Sequence, residues 1–490
     1  MKDILDTRTY QLVDQRRFAA LSGDANPIHL DPVAARRELV GGVVVHGMHL
    51  VLRALDAWLS ARSLASARPI ALHALRVSFT APVPLEREVE TRLVSEDAGR
   101  ARLDAWCEGR LSLHAEVEWG EDARPEPSRL SMPPYSAHDR RPRILERSDL
   151  GGRAGSLTLW ADPDATSSAF PDLVARSGLR TAAELLTLSR LVGMHCPGLR
   201  SLFSGFELER RSSFLPPGAW RYAVTRVLPG TSLVQIDVES ARLAGRLDTF
   251  LRPAPQLQPA YAEVAERVEP GEFAGQRALV VGGSRGIGEV TAKIVAAGGG
   301  LAVATWHTGS EDAEALAAEI RAGGGRCEIL ACDVEHPGPV VGELQELDLL
   351  PTHLYYFASP RMYAERRGGF CPELYARFAA VYVDGFAALL LACRNLAGRE
   401  LAVFYPSTAT LDGPIERKDE YLTAKSAGER LCREFADADP KLRMRAPRLP
   451  RIATDQTRSL THVETRSALD VMLPEVRALA ASTGSGTESD

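Results

Sequence analysis

The sequence lacks several features that would mark a special class of protein. Its seven cysteines are dispersed, odd in number and free of any Cys-x-x-Cys pair, which indicates reduced thiols in a cytoplasm and neither a disulfide framework nor a zinc site. There is no run of about 18 apolar residues and no apolar N-terminal segment, so we expect no membrane span and no signal peptide. A formal net charge of −6 argues against nucleic acid as the main partner.

What the chain does have, near its N-terminus, is a carboxylate and an imidazole set five residues apart around an Asn-Pro. Asp24 and His29 lie in the segment Phe18–Asp31, and Val44-Val-His-Gly-Met48 then opens an apolar helix. General acid–base chemistry at neutral pH needs such a pair, because one group holds or deprotonates water and the other passes a proton. The alternative is an ordinary turn in which Asp24 or Asn26 caps a helix.

This segment resembles the MaoC-like (R)-specific enoyl-thioester hydratases, which have a hotdog fold. The residues that match the family's two motifs are Asp24, Asn26, Pro27, His29, Asp31, His46, Gly47 and Met48. The resemblance implies that Asp24 and His29 are the catalytic pair and that Asn26 positions the substrate. It also implies that the Gly47 amide holds the thioester oxygen, since a helix N-terminal amide is unpaired and glycine lets a carbonyl approach.

A second stretch repeats the layout of the first, with a helix followed by strands. Thr181–Val192 is apolar at helical spacing, and four strand-like segments lie between Ser204 and Leu251. No Asp-x-Asn-Pro-x-His occurs there, so we expect a second hotdog without acid–base chemistry. His195 lies beside Cys196 and could suggest a metal site, but a single histidine at a helix end is more commonly structural.

A glycine-rich turn follows the buried-strand run Arg277–Val281 and leads into a helix. This strand–turn–helix context is the one that a dinucleotide-binding fingerprint requires. Gly282 makes the turn, Gly286 lets the backbone approach a pyrophosphate, and Gly288 lets helix and strand pack closely. The predicted cofactor-binding residues of this turn are Gly282, Ser284, Arg285, Gly286, Ile287 and Gly288.

The spacing of these glycines resembles that of short-chain dehydrogenases/reductases. The resemblance implies that Asp333 contacts adenine and that Tyr421 and Lys425, one helical turn apart, form the Tyr-x-x-x-Lys pair. The lysine would lower the pKa of the phenol and hold the cofactor ribose. Ser407 would orient the substrate, with Thr408 as the alternative.

Departures from the family pattern accompany this match. Tyr356-Phe-Ala-Ser359 replaces Asn-Asn-Ala-Gly, Tyr382 replaces the asparagine of the proton relay, and Pro447-Arg448 replaces Pro-Gly. The second strand, from Leu301, ends without an acid, and Arg285 could meet a 2′-phosphate. NADP(H) is therefore favoured over NAD(H), and no metal is expected.

Together the motifs predict an α+β double hotdog followed by an α/β Rossmann-type, doubly wound parallel sheet. The predicted segments are a hotdog domain 1–122, a linker 123–155, a degenerate hotdog 156–255, a linker 256–275, a reductase-like domain 276–475 and a disordered tail 476–490. The predicted function is NADPH-dependent 3-oxoacyl reduction plus 3-hydroxyacyl dehydration or enoyl hydration. The alternative is a hydratase alone, with a Rossmann domain that binds nucleotide or scaffolds a carrier protein.

The predicted partners follow from that chemistry. We expect an acyl-CoA or acyl carrier protein thioester as substrate, a cytoplasmic location and a homodimer or homotetramer. Neither nucleic acid nor a membrane is expected to bind.

Overall fold

A computed structural model describes most of the chain, namely residues 3–63, 69–121, 141–211, 215, 218–360, 370–398, 400–413, 420–459 and 463–484. The chain divides into two compact units, the first comprising Met1–Ala254 with Ser459–His462 and the second Pro255–Arg458 with Val463–Asp490. Each unit has hydrophobic core clusters of its own.

The first half of unit 1 is a strand and four helices followed by four strands. Its elements are β1 (Asp3–Thr9), α1 (Leu12–Ser22), α2 (Pro27–Leu30), α3 (Pro32–Arg36), α4 (Gly47–Ser63), β2 (Ile70–Phe79), β3 (Glu88–Asp97), β4 (Arg100–Cys107) and β5 (Arg110–Glu121). The sequence predicts β2 to β5 but not β1, because β1 is an edge strand without an alternating apolar pattern.

The second half of unit 1 has the same plan. Its elements are β6 (Ala154–Thr158), α5 (Pro163–Ala169), α6 (Pro171–Ser177), α7 (Leu179–Arg190) with a π-helical turn over Leu191–His195, β7 (Ser201–Arg210), β8 (Ala219–Val227), β9 (Leu233–Glu239) and β10 (Leu243–Leu251). Every residue of α7 from Thr181 to Arg190 is buried, so this helix is enclosed by the rest of the unit.

The strands of unit 1 form one antiparallel sheet in the order β1-β3-β4-β5-β2-β7-β10-β9-β8-β6. The two halves contribute their strands in equivalent order. From one edge to the centre the order is β1-β3-β4-β5-β2, and from the other edge to the centre it is β6-β8-β9-β10-β7. β7 and β8 begin 131 residues after β2 and β3. The halves join in the centre, where Leu75 pairs with Leu208 and Val77 with Phe206. The predicted double hotdog is thereby confirmed.

Unit 2 alternates strands with helices. Its elements are α8 (Tyr261–Ala265), β11 (Arg277–Val281), α9 (Gly286–Ala297), β12 (Leu301–Trp306), α10 (Ser310–Ala322), β13 (Arg326–Ala331), α11 (Gly338–Glu346), β14 (His353–Tyr356), α12 (Pro372–Ala379), α13 (Phe386–Ala397), β15 (Leu401–Phe404), β16 (Ser407–Thr408), α14 (Glu420–Ala438), β17 (Leu442–Arg445), β18 (Arg448–Leu449) and α15 (Ala468–Gly484). A π-helical segment over Ala380–Gly385 connects α12 to α13.

The main sheet of unit 2 is parallel and six-stranded, in the order β13-β12-β11-β14-β15-β17. Numbered along the chain within this sheet alone, this is the order 3-2-1-4-5-6 of a doubly wound dinucleotide-binding fold, whose ligands bind beyond the carboxyl ends of the strands. The predicted Rossmann-type sheet is confirmed.

Both predicted linkers contain residues that pack in a core, and the predicted disordered tail is helical over its described residues. In the first linker, residues 123–140 lie outside the described residues, but Leu145 and Leu150 are buried. In the second, α8 and Phe273 pack into the core of unit 2. The predicted tail is helical as far as Gly484, because Val476 and Leu479 continue the apolar face of α15 and are buried.

One helical stretch is relevant to the expectation that no segment crosses a membrane. Pro372–Ala397 is long and apolar enough to span one by length and composition, with a mean hydropathy of 1.6, and 44% of that window is buried. Phe386, Leu389 and Cys393 lie in a core cluster together with strands of the parallel sheet. A helix that packs on a sheet can also be this long and apolar. The expectation of no membrane span therefore stays a prediction.

Candidate functional site

The Asn-Pro turn of unit 1 brings three side chains together. α1 ends at Gly23, whose φ of 75° reverses the chain, and the Asn26 side chain then caps α2. As a result one ligand atom each of Asp24, His29 and His46 lies within 4.8 Å of the others. The predicted pair therefore meets in one site. The same spacing would suit a metal ion, and the expectation of no metal stays a prediction.

Asp24 is almost fully enclosed. The Ser189 hydroxyl donates to its Oδ2 at 2.7 Å, and the main-chain N–H of Asn26 donates to its Oδ1 at 3.2 Å. Burial raises the pKa of Asp24 to about 6, and the hydrogen bond from Ser189 opposes that rise. Near neutral pH the group is an ionised carboxylate that readily takes a proton.

His29 is held by the main chain. Its Nδ1 lies 2.8 Å from the carbonyl oxygen of Val44, and since a carbonyl only accepts, Nδ1 carries the hydrogen. The other nitrogen, Nε2, is then the basic one. Removal from water lowers the pKa of His29 to about 4, with a smaller lowering from the charge of Arg252. Near neutral pH His29 is uncharged.

Asn26 ties the turn to the second half of unit 1. Its Nδ2 lies 3.0 Å from the carbonyl oxygen of Gly193, 3.3 Å from that of Gly198 and 3.1 Å from that of Leu199, while its Oδ1 accepts from Ile28. These contacts engage the amide with the protein. The role of Asn26 in positioning the substrate stays a prediction.

Gly47 is the first residue of α4, directly after His46, so its N–H is among the helix amides without an intrahelical acceptor. A Cβ on Gly47 would lie 2.9 Å from Cε1 of Phe79. Only glycine therefore fits without displacing that ring. The position suits the predicted role of holding a thioester oxygen.

The second half contributes two functional residues that sequence reasoning missed. Ser189 lies on α7, and Gly193 lies in the π-helical turn, where a Cβ would come 2.1 Å from Asp24 Oδ1. π-helical turns recur at functional sites. Neither residue belongs to a motif, and each is more than 160 residues from Asp24 in the chain. His195 ends the same turn.

The glycine turn of unit 2 has the geometry of a dinucleotide cradle. Gly282 and Gly286 have φ values of +71° and +60°, which disfavour side chains with a Cβ. A Cβ on Gly288 would lie 2.3 Å from the carbonyl oxygen of Gly282. The turn, which includes Ser284, Arg285 and Ile287, leads into the N-terminus of α9 and fits a pyrophosphate there.

Asp333 follows β13, which is separated by β12 from the strand that precedes this turn. Its carboxylate accepts from the main chain of Glu335 and lies 3.0 Å from His336 Nδ1, and the hydrogen bond from His336 lowers its pKa. β12 ends at Trp306 and is followed by His307. The contact of Asp333 with adenine stays a prediction.

Lys425 lies buried beneath two tyrosine rings. Its Nζ donates to the carbonyl oxygen of Pro406 at 2.8 Å and lies 3.9 Å from the ring centroid of Tyr382. Burial lowers the pKa of Lys425 to about 7. Tyr421, on the same helix, meets the Tyr382 ring edge-on at 5.8 Å between centroids. The helical spacing thus brings the predicted pair to one face of α14.

Ser407 is engaged with a carboxylate. Its hydroxyl donates to Glu429, which also forms an ion pair with Arg448. The hydroxyl of Thr408, the alternative residue, accepts from the main chain of Thr410. Ser407 can still accept a hydrogen bond, but its own proton is engaged with Glu429, and its role in orienting the substrate stays a prediction.

Comparisons with known proteins give one family match and a set of similar solved structures. Residues 4–109 match the family model described as a MaoC like domain. Similar solved structures include FolM alternative dihydrofolate reductase 1 from Brucella suis in complex with NADP, at 24% identity over 36% of this chain and 72% of that one, with a TM-score of 0.33. A dehydrogenase/reductase from Sinorhizobium meliloti 1021 is 18% identical over 45% of this chain and 91% of that one, with a TM-score of 0.38.

A third similar structure is the citronellol catabolism dehydrogenase AtuB of Pseudomonas aeruginosa PAO1. It is 22% identical over 44% of this chain and 91% of that one, with a TM-score of 0.38. Among curated proteins, no relative matches the chain.

Proposed function

Because residues 4–109 belong to the MaoC-like domain family, we propose that unit 1 interconverts a trans-2-enoyl thioester and a 3-hydroxyacyl thioester. We propose further that unit 2 reduces a 3-oxoacyl thioester to the 3-hydroxyacyl thioester with NADPH. The observation that carries the first proposal is the meeting of Asp24 and His29 in one enclosed site, both in their basic forms near neutral pH.

In the hydration direction the Asp24 carboxylate accepts a proton from water while the water oxygen bonds to C3 of the enoyl group. Asp24 is the stronger base of the pair, with its pKa near 6 against about 4 for His29. His29 Nε2 accepts a hydrogen bond from the same water and orients it. The proton held by Asp24 then passes to C2, so that C3–O and C2–H bonds replace the C2=C3 π bond.

Negative charge develops on the thioester oxygen between these two proton transfers. The N–H of Gly47 lies at the N-terminus of α4, where the helix dipole also favours negative charge. Dehydration is the same sequence reversed. The carboxylate then removes the C2 proton and returns it to the departing hydroxyl.

In unit 2 the residues of this chain would bind the cofactor and transfer a proton to the substrate. The glycine turn and Lys425 would hold NADPH, which supplies a hydride when bound. Arg285 supports a preference for the 2′-phosphate. Tyr421 would donate its phenolic proton to the carbonyl oxygen as it is reduced. Lys425, one helical turn away, eases that loss in its ammonium form, which its lowered pKa of about 7 confines to neutral and lower pH.

The two proposed reactions share an intermediate. The 3-hydroxyacyl thioester made by reduction is the substrate for dehydration, and joining both activities in one chain raises its local concentration. The acyl group would be carried by coenzyme A or an acyl carrier protein, since a thioester is required in both steps.

Two spectrophotometric assays of the full chain test these proposals separately. Incubation with crotonyl-CoA should lower the absorbance of the enoyl thioester to its value at the hydration equilibrium, and addition of acetoacetyl-CoA should cause oxidation of NADPH. Failure of the first assay with CoA and carrier-protein enoyl thioesters alike would contradict the hydratase proposal.

The alternative, a hydratase with a Rossmann scaffold, is favoured by two observations. Lys425 faces Tyr382, where the family pattern has an asparagine, and Ser407 donates to Glu429. Under this alternative the protein binds NADPH and oxidises none of it with any 3-oxoacyl thioester.

A further inference from the structure

His46 contacts both members of the proposed acid–base pair. Its imidazole stacks on that of His29, with ring centroids 3.8 Å apart and an angle of 24° between the planes. Its Nε2 lies 3.1 Å from the main-chain carbonyl oxygen of Asp24. One side chain, completely buried, therefore borders the ring of His29 and the backbone of Asp24.

Gln15 fixes His46 from the opposite side. The Gln15 Oε1 accepts the main-chain N–H of His46 at 3.0 Å and lies 2.9 Å from its Nδ1. Because the main-chain contact requires an acceptor, this atom is the oxygen of the amide and not the nitrogen. Gln15 is itself completely buried on α1, so the anchor is rigid.

Further aromatic rings extend the stack behind His46. Phe18 lies 4.8 Å from His46 and 4.7 Å from His49, and its ring is nearly parallel to that of His49, at 9°. The rings of His29, His46, Phe18 and His49 thus form a continuous column. Rotation of His46 would disrupt the column and the Gln15 contacts together.

His46 is poorly suited to carry protons itself. Each of its ring nitrogens faces a carbonyl oxygen of the protein, and burial holds its pKa well below the usual value. An effect of His46 on turnover would therefore act through its contacts with His29 and Asp24.

We propose that His46 is a positioning residue, which fixes the ring plane of His29 and the backbone of Asp24 so that both face one water molecule. The inference rests on the proposed hydration activity. A displacement of about 1 Å at a reacting group can cost about 10²-fold in rate, so a loss of this order is expected when the contacts are removed.

The variants separate the two contacts. His46→Asn removes both the stack and the Asp24 contact, His46→Phe keeps the stack, and His46→Gln keeps a donor near Asp24 O. With crotonyl-CoA we expect kcat to fall about 10²-fold in His46→Asn with KM within about threefold, and to recover in part in each of the others. His73→Asn, at an exposed histidine of β2, is the matched control and should match the wild type.

A readout that needs no turnover completes the test. In ¹⁵N-histidine spectra of the wild-type full chain, His29 should show a single tautomer with hydrogen on Nδ1. In the His46→Asn variant, His29 should show a mixture of its two tautomers. An unchanged tautomer together with kcat within twofold of the wild type would overturn the proposal. Should His46→Asn not fold, Gln15→Met, which removes the acceptor and keeps the volume, should give the same loss and the same mixture.

The two measurements also distinguish this inference from the proposed function. A wild type that hydrates no enoyl thioester defeats the proposed function, whereas the tautomer comparison still decides whether His46 fixes His29.

Discussion

Ser189 donates a hydrogen bond to Asp24 across 165 residues of sequence, with 2.7 Å between Oγ and Oδ2. The serine belongs to the half of unit 1 that has no acid–base pair of its own. The second hotdog, which is expected to lack acid–base chemistry, therefore contributes a side chain to the site.

Replacement of either member of the pair should abolish hydration. Asp24→Asn and His29→Ala are each expected to lower kcat by about 10²–10⁴-fold, because general acid–base groups contribute that much. Asp31→Asn is the matched control, since Asp31 caps α3 and an asparagine preserves the cap. Residual rates above about a tenth of the wild type in both variants would refute the assignment.

Loss of the Ser189 hydroxyl should shift the pH dependence of hydration. That hydrogen bond lowers the pKa of Asp24, so Ser189→Ala should raise it further and move the acidic limb of the kcat profile to higher pH. Thr187→Val, on the same buried helix, removes a hydroxyl that bonds only its own helix and should leave the profile in place. Identical profiles for the wild type and Ser189→Ala would contradict a contact with the reacting carboxylate.

Asp24 should also make unit 1 less stable at neutral pH than in acid. Its folded pKa of about 6 lies above its ordinary value of 3.8, so the folded state binds the proton more tightly and stability falls as pH rises from 4 through 6. Above that window the cost is about 3 kcal/mol. Asp24→Asn should therefore raise the melting temperature at pH 8, with a difference that shrinks towards pH 4. Equal melting temperatures at pH 8 would show that the raised pKa is absent.

A methyl group at Gly193 should displace the catalytic carboxylate. The Cβ of Gly193→Ala would lie 2.1 Å from Asp24 Oδ1, which is impossible without movement of one of them. We expect hydration to fall at least about 10²-fold. Gly151→Ala, where no atom lies within 4 Å of the new Cβ, should behave as wild type in both rate and melting temperature.

In unit 2, Tyr421→Phe should remove reduction but leave NADPH affinity, whereas Lys425→Ala should damage both. The phenol supplies only the proton, while the ammonium also holds the ribose. Fluorescence titration with NADPH and the acetoacetyl-CoA assay measure the two effects, with Lys441→Ala, at an exposed lysine, as the control. Normal turnover by Tyr421→Phe would remove Tyr421 from the mechanism.

The local parts of the site could be predicted from sequence, and the distant parts could not. Asp24 and His29 share one turn, so their spacing alone indicates that they meet. Ser189 and Gly193 reach the site through the pairing of two halves, and a serine on a buried helix has no distinguishing pattern. Asn26 matched a motif, yet its amide bonds to carbonyl groups more than 160 residues away.

The same contrast holds for the fold. Strands with alternating apolar residues and the glycine turn were predicted correctly because their signals are periodic or local. The predicted disordered tail was wrong over residues 476–484. The small residues near its end led to a prediction of disorder, although α15 buries Val476 and Leu479 there.

The central pairing of β2 with β7 has a consequence for synthesis of the chain. β2 is complete at Phe79, but its partner ends at Arg210, so its hydrogen-bonding edge stays open while the intervening residues are translated. At about 5–20 residues per second that interval lasts roughly 10 s. An open edge of this kind recruits other nascent chains. Ribosome-associated chaperones that cover this edge would then raise the yield of folded protein, and slow translation of the β6–α7 region would lower it.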